Sequence, residues 1–279
     1  MLRIVLVVLL FGMTNAAAFG APPDVGPAAN VTETPEQILV EALRQSIGAP
    51  ARANIDKQAT VRLEGQLTFV PRESAARLLA VSNVSVPADF QALLLGTDGM
   101  ETPGLIRYVP AGFVDSDAAL AWTADDFLSR LQDTVAHGNA ARIKQYLEER
   151  EARRWVRAPR YNAEAHQLSW AALILPESEP RESDGEVTFH AISFGREGYI
   201  ELTVTTSLEK AGETGQMVDR FLDGLTFRPG KAYGDALPTD KRAPGGLARA
   251  MGFDSLHKAR SKGDFWSSDI IVPIAGGIV

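Results

Sequence analysis

Residues 187–206 read Val187-Thr188-Phe189-His190-Ala191-Ile192-Ser193-Phe194-Gly195-Arg196-Glu197-Gly198-Tyr199-Ile200-Glu201-Leu202-Thr203-Val204-Thr205-Thr206. Two β-rich runs flank a compact step of two charged residues between two glycines, and in the second run Ile200, Leu202 and Val204 point one way. Strand, glycine-flanked turn and strand predict a β-hairpin, and hairpin-joined strands are antiparallel. Working outward, Leu168, Trp170, Ala172 and Ile174 alternate with their neighbours, as in a half-buried strand. An acidic loop over residues 176–185 separates the two segments. Downstream, Met217, Val218, Phe221 and Leu222 predict a helix that stops at Gly224, and residues 225–227 predict a last strand.

The first half has the same grain. Thr34 as cap, Pro35 at the first helical position and Gln37 in a capping box predict a helix over residues 35–47. Leu39, Leu43 and Ile47 share its apolar face, and Gly48 is placed to terminate it. Ala59, Val61 and Leu63 alternate, Glu64-Gly65 forms a turn, and residues 67–70 continue, which predicts a hairpin. Pro71 opens a short helix bearing Ala75, Leu78 and Leu79. Strands are expected over 90–95 and 105–109, with a turn-rich acidic step over 112–117. Thr123 and Asp126 mark a helix start, followed by the stripe Phe127, Leu131 and Val135; Gly138 bends this helix or ends its first half. The charged run from Glu148 to Arg154 fits a solvated helix end. Helices therefore sit around neighbouring hairpin strands rather than between parallel ones. The expected fold class is α+β, a layered sandwich of helices packed around an antiparallel sheet. No internal repeat is present.

Arg3, the apolar run from Ile4 to Phe11 and the small residues Ala16 and Ala18 form the three zones of a secretory signal, with cleavage before Phe19. The apolar run is about half the roughly 20 residues that a membrane-spanning helix needs. The expected organisation is a signal peptide over 1–18, a flexible proline-rich leader over 19–35 and one α+β domain over 36–253. A polar linker and the start of an apolar segment occupy 254–279. With 45% hydrophobic residues the chain can build a core, and with no cysteine it can form no disulfide, thiolate nucleophile or cysteine metal site. The formal charge of −7, without a basic block, argues against nucleic acid as a partner.

Several segments together resemble a bacterial family described as predicted membrane-anchored proteins, domain-of-unknown-function family 2167. The matching pieces are Asp56-Lys57-Gln58-Ala59-Thr60, Gly112-Phe113-Val114-Asp115-Ser116-Asp117, and Thr134 through Asn139 to Arg142. Pro159-Arg160-Tyr161 with Leu168-Ser169-Trp170, then Gly195-Arg196-Glu197-Gly198-Tyr199, are the strongest. Residues 227–241 complete the set with Gly230-Lys231, Tyr233, Asp235 and Thr239-Asp240-Lys241. The resemblance spans roughly residues 50–250 and implies no established activity. Two departures stand out. Val187-Thr188-Phe189-His190 replaces a more amide-rich pattern, and a polar stretch over 255–269 follows Gly246-Leu247, where family members run into a membrane-spanning helix. Residues 270–279 are apolar but too short to cross a bilayer, so either the span continues beyond this sequence, which is the favoured expectation because an exposed apolar tail would be a liability, or this member has lost its anchor.

No Gly-x-Ser-x-Gly elbow, His-Glu-x-x-His pair or phosphate loop occurs; from Gly224 to Lys231 the last is one residue too long. Asp115 and Asp117 lack the glycine and distal glutamate of a calcium loop. His137, His166, His190 and His257 lack ligand spacing, His137 with Asp133 reads as a helix-surface pair, and His190 reads as a surface or hydrogen-bonded core histidine. No cofactor is implied. The candidate binding residues are Arg196 and Glu197 in the glycine-flanked turn, where a guanidinium could meet a partner's carboxylate, and Asp240 and Lys241 in a second charged tip. Against this stands the plainer reading that the glycines serve the turn and the charges face solvent. The expected function is a non-catalytic interaction domain of an exported, periplasmic protein, tethered to the membrane and contacting an envelope protein or component. The alternatives are a periplasmic small-molecule binder and, behind it, a hydrolase assembled from distant acidic residues. Mass spectrometry of the exported protein is expected to find Phe19 at the N-terminus; an intact 1–18 segment would mean an N-terminal anchor instead.

Overall fold

A computed structural model describes residues 33–82, 84, 86–178, 181–251 and 253. The expected signal, most of the leader, the C-terminal segment and His257 lie outside the described residues. In chain order the elements are helix α1 (Pro35–Arg44), strands β1 (Ile47–Gly48), β2 (Ala51–Ile55), β3 (Ala59–Leu63) and β4 (Thr68–Pro71), then helix α2 (Arg72–Val81). Strands β5 (Phe90–Gly96) and β6 (Gly99–Val109) lead to α3 (Ala124–Lys144). The second half holds β7 (Arg150–Asn162), β8 (Gln167–Pro176), β9 (Glu186–Phe194), β10 (Tyr199–Ser207), α4 (Ala211–Gly224), β11 (Leu225–Phe227) and α5 (Gly246–Ala250).

The fold is α+β. Eight strands form one antiparallel sheet in the order β1-β4-β5-β6-β10-β9-β8-β7, and β11-β3-β2 form a small second sheet. Strands of both halves thus meet in one sheet, at the β6–β10 pair. One face of the large sheet packs on the small sheet and α4, burying Ile55, Val61, Leu94, Leu202, Phe189 and Phe221 among others. The other face is covered from its two ends: α1 and α2 lie over β4 and β5, and α3 lies over β7 and β8, while α5 packs at the loop end, where Tyr199 of β10 donates to the Ala250 carbonyl. Among the described residues no helix is long and apolar enough to cross a membrane.

Local signals in the sequence placed several elements correctly. Thr34 and Gln37 form the capping box of α1, Thr123 caps α3 through the Asp126 N–H, and residues 187–206 form the β9–β10 hairpin. Four expectations are corrected. The first helix ends at Arg44, and Ile47 and Gly48 pair with Phe69 and Thr68 as a short edge strand. The Glu64-Gly65 turn does not close a hairpin, because β3 pairs within the small sheet and β4 within the large one. Strand β8 is buried along both faces, since α3 and α5 cover one side and the small-sheet layer the other. The charged run 148–154 is not a helix end but the approach to and start of β7, the edge strand. Its charges are matched across space: Arg150 with Glu186, Arg154 with Glu182 and, further on, Arg157 with Asp219. Such charges suit a sheet edge, where they discourage pairing with another chain.

Helix α3 continues through Gly138 and does not end there, and a Cβ added at this glycine would meet nothing within 4 Å. Next to it Asn139, 9% exposed, ties the helix to β7. Its Nδ2 donates to the Arg150 carbonyl at 2.9 Å, and its Oδ1 accepts the Arg150 N–H at 2.8 Å. Removing the amide strands two backbone groups at once. Asn139→Ala is expected to cost about 1–3 kcal/mol in urea unfolding. Asn139→Asp, which still accepts the N–H but cannot donate to the carbonyl, should fall between wild type and alanine.

Candidate functional site

One end of the large sheet gathers most of the segments that carry the family resemblance. The β9–β10 turn, the 110–117 loop and the 162–166 turn converge there under a strap of residues 228–243. Backbone bonds hold the strap: Arg228 N–H to the Gln58 carbonyl at 2.8 Å, Arg196 N–H to the Lys231 carbonyl at 2.9 Å, and Phe113 N–H to the Lys241 carbonyl at 2.8 Å. The glycines permit the approach. A Cβ on Gly198 would lie 2.0 Å from the Val109 carbonyl oxygen, and one on Gly195 would lie 2.5 Å from the Phe227 ring. Only the first of these two glycines has a positive φ, so the pair serves close packing more than unusual backbone angles.

The four residues singled out in the sequence are brought together, and two of them bond to each other. The Arg196 guanidinium grips the Asp240 carboxylate through Nε at 2.7 Å and Nη2 at 2.9 Å, the paired geometry that suits Arg to carboxylates. Asp240 Oδ2 also accepts the Leu237 N–H at 2.7 Å. These bonds hold the Asp240 carboxyl at a pKa of about 2, with Arg196 the larger cause. Glu197 accepts from Lys231 Nζ at 2.6 Å and from Gln58 Nε2 at 3.3 Å, and the Lys231 bond leads in holding its pKa low. Lys241 is exposed. The carboxylate that Arg196 meets in this structure is therefore the chain's own.

Beneath the strap lies a constellation that the sequence reading missed. Tyr161 Oη donates to Asp117 Oδ1 at 2.7 Å, because a carboxylate can only accept. The same oxygen lies 2.7 Å from Ser116 Oγ and 3.2 Å from His166 Nδ1, so both of these donate to it. His166 sits at φ +49°, left-handed backbone uncommon outside glycine, and stacks on Tyr233 at 3.7 Å. Tyr233 Oη in turn accepts the Ser116 N–H at 3.3 Å. Burial, and then donation to Asp117, push the Tyr161 phenol well above its usual range despite the opposing bond from Ser116. Ser116 is fully buried with its proton committed to Tyr161, a poor arrangement for a nucleophile. Beside Tyr161 is a cavity of about 60 Å³, lined by Ala119, Trp122, Thr123, Phe127 and Leu168 among others. Among the described residues no three of His, Asp and Glu are grouped to hold a metal ion. Tyr161 and Tyr233 belong to the resembling segments. His166 carried no motif signal: Tyr161 lies five residues before it at the end of β7, while Tyr233 and Asp117 come from distant segments.

The model of the family described as "Protein of unknown function (DUF2167)" matches residues 48–258. No curated protein matches. Among solved structures, the solution structure of cyanobacterial PsbP (CyanoP) from Synechocystis sp. PCC 6803 aligns at 10% identity with a TM-score of 0.38, covering 73% of this chain and 99% of that one. The chain belongs to the DUF2167 family.

Because its folded pKa is depressed from 3.8 to about 2, Asp240 contributes stability that is present above pH 4 and is lost as pH falls towards 2. Protection of the Leu237 amide, measured against its intrinsic exchange rate, is therefore expected to fall over that window. In Arg196→Ala the Asp240 titration, followed by NMR, should move up towards the ordinary carboxylate value.

Proposed function

We propose that this DUF2167 domain is a non-catalytic interaction module of the cell envelope, which receives a single side chain of a partner protein at the braced loop end. The observation that carries the reading is the cavity beside Tyr161. At about 60 Å³ it has room for a few waters or one small side chain, far below the roughly 300–1,000 Å³ of sites that enclose a free small molecule. Most of its lining residues are apolar or aromatic, while about as much polar as apolar surface faces the cavity, a mixed lining that suits an anchor side chain bearing a polar group. The bonds of the strap support a preformed surface, which lowers the ordering cost of association. Export rests on the N-terminal signal pattern, and the C-terminal tether on the family resemblance.

The cavity can be filled without replacing any residue of the hydrogen-bonded hub. Ala119→Leu adds a side chain from the lining and should leave the thermal unfolding midpoint within a few degrees of wild type. A photo-crosslinker at exposed Thr123, in cells producing the full chain, is expected to give a discrete adduct whose partner is identified by mass spectrometry. That adduct should disappear in the Ala119→Leu background and persist with Lys241→Ala. Loss of the adduct only with Lys241→Ala would move the contact to the strap. Saturable binding of a small metabolite, abolished by Ala119→Leu, would favour the small-molecule reading.

A further inference from the structure

Away from the loop end, the helix-bearing face of the large sheet carries a second cluster. Helices cover the two ends of this face, and between them the middle strands β6, β10 and β9 present polar side chains: Arg107, Glu201, Thr203, His190, Thr188 and Thr205. Glu201 lies at the centre and is only 8% exposed. Arg107 Nη1 reaches its Oε2 at 3.3 Å and His190 Nδ1 its Oε1 at 3.2 Å. Asp89 grips the same guanidinium through bonds of 3.0 and 2.6 Å. Burial, the largest influence, pushes the Glu201 carboxyl up, but the hydrogen bond from His190 and the Arg107 charge are among the influences that outweigh it and lower its pKa. Burying a carboxylate among such partners is no more stabilising than a well-packed apolar set of the same volume. Core stability alone therefore does not account for this arrangement.

The proton inventory gives it a direction. A neutral imidazole carries one N–H, and a carboxylate can only accept. The bond to Glu201 therefore puts the proton on Nδ1 and leaves a lone pair on Nε2. The ring is fixed by stacking on Trp170, 4.8 Å away and 11° from parallel, and its side chain is 27% exposed. Nε2 has no hydrogen-bond partner among the described residues. A histidine oriented by a carboxylate through one nitrogen, with the other left open, is the arrangement that serves bases and ligand-accepting imidazoles.

We propose that this polar floor is a second binding site, in which His190 Nε2 accepts a hydrogen bond from the O–H or N–H of a neutral ligand. Glu201 orients the ring, and Arg107 with Asp89 holds Glu201. Ionised phosphates and carboxylates do not fit, since they offer Nε2 no donor and would approach a carboxylate.

The test uses the full chain, labelled with nitrogen-15, above the imidazole titration. Long-range nitrogen–proton NMR should show His190 protonated at Nδ1. Phenol, a neutral O–H donor, should shift the His190 Nε2 resonance saturably, while anisole, which lacks the O–H, should not. His137, on the exposed surface of α3, serves as the internal control and should stay still. In Glu201→Gln, checked for folding by circular dichroism, the apparent phenol affinity should fall about tenfold or more. If that variant does not fold, His190→Gln leaves the Arg107–Glu201 pair in place and should abolish the phenol response at the Thr203 amide. Protonation at Nε2, an equal response to anisole, or no saturable phenol shift at His190 would each overturn the proposal.

Discussion

The pairing of β10 with β6 on one side and β9 on the other holds the two halves of this protein together. Among the described residues the β6–β10 pair is where the two halves meet in the large sheet: β1, β4, β5 and β6 come from the first half of the chain, and β7 to β10 from the second. Because side chains alternate along a strand, this one element also serves two environments. Ile200, Leu202 and Val204 enter the core beneath the small sheet, while Glu201 and Thr203 open onto the polar floor between the helices. A slip of one residue would put the carboxylate in the core and leucine on the floor, so the register is set by burial on one face and charge pairing on the other.

The end of that same strand organises the loop cluster. Gly198 brings the hairpin against the Val109 carbonyl, and no residue with a Cβ could sit there without displacing backbone. With the hairpin fixed, the Lys231 carbonyl and Asp240 can meet Arg196, and the strap they belong to closes over Ser116, Tyr161 and His166. Arg196 and Glu197 look, in isolation, like charges offered to a partner. In the folded chain each is matched by an opposite charge of the strap, which makes them braces of the loop end. In the proposed reading the place for a partner is instead the cavity beside Tyr161.

Two histidines share one design. His166 and His190 each commit Nδ1 to an oxygen, of Tyr161 and Glu201 respectively, and each stacks on an aromatic ring, Tyr233 and Trp170. Both rings are thereby fixed in orientation and tautomer, one at the loop end and one on the sheet face. Neither shows the spacing of a sequence motif, because the aromatic rings that fix them, Tyr233 and Trp170, are distant in the chain.

What the sequence determined by itself is local in origin. Capping by Thr34 and Thr123, the stripe of α4 and the hairpin over 187–206 depend on neighbours within a few residues, so periodicity and turn chemistry revealed them, and with them the antiparallel α+β class. The tertiary structure alone decided the rest. Residues 148–154 are helix-like by charge but lie at a sheet edge, because β8 offers them a ladder and Glu186 and Glu182 offer them counter-charges. Residues 59–70 look like one hairpin but divide between two sheets, because β2 and β11 compete for the first strand. The Arg196–Asp240 bond, the Tyr161 hub and the Glu201–His190 pair join positions 44, 45 and 11 residues apart. Hydrogen bonds of this kind depend on angstrom-scale placement by the packed sheet, which no spacing along the chain encodes.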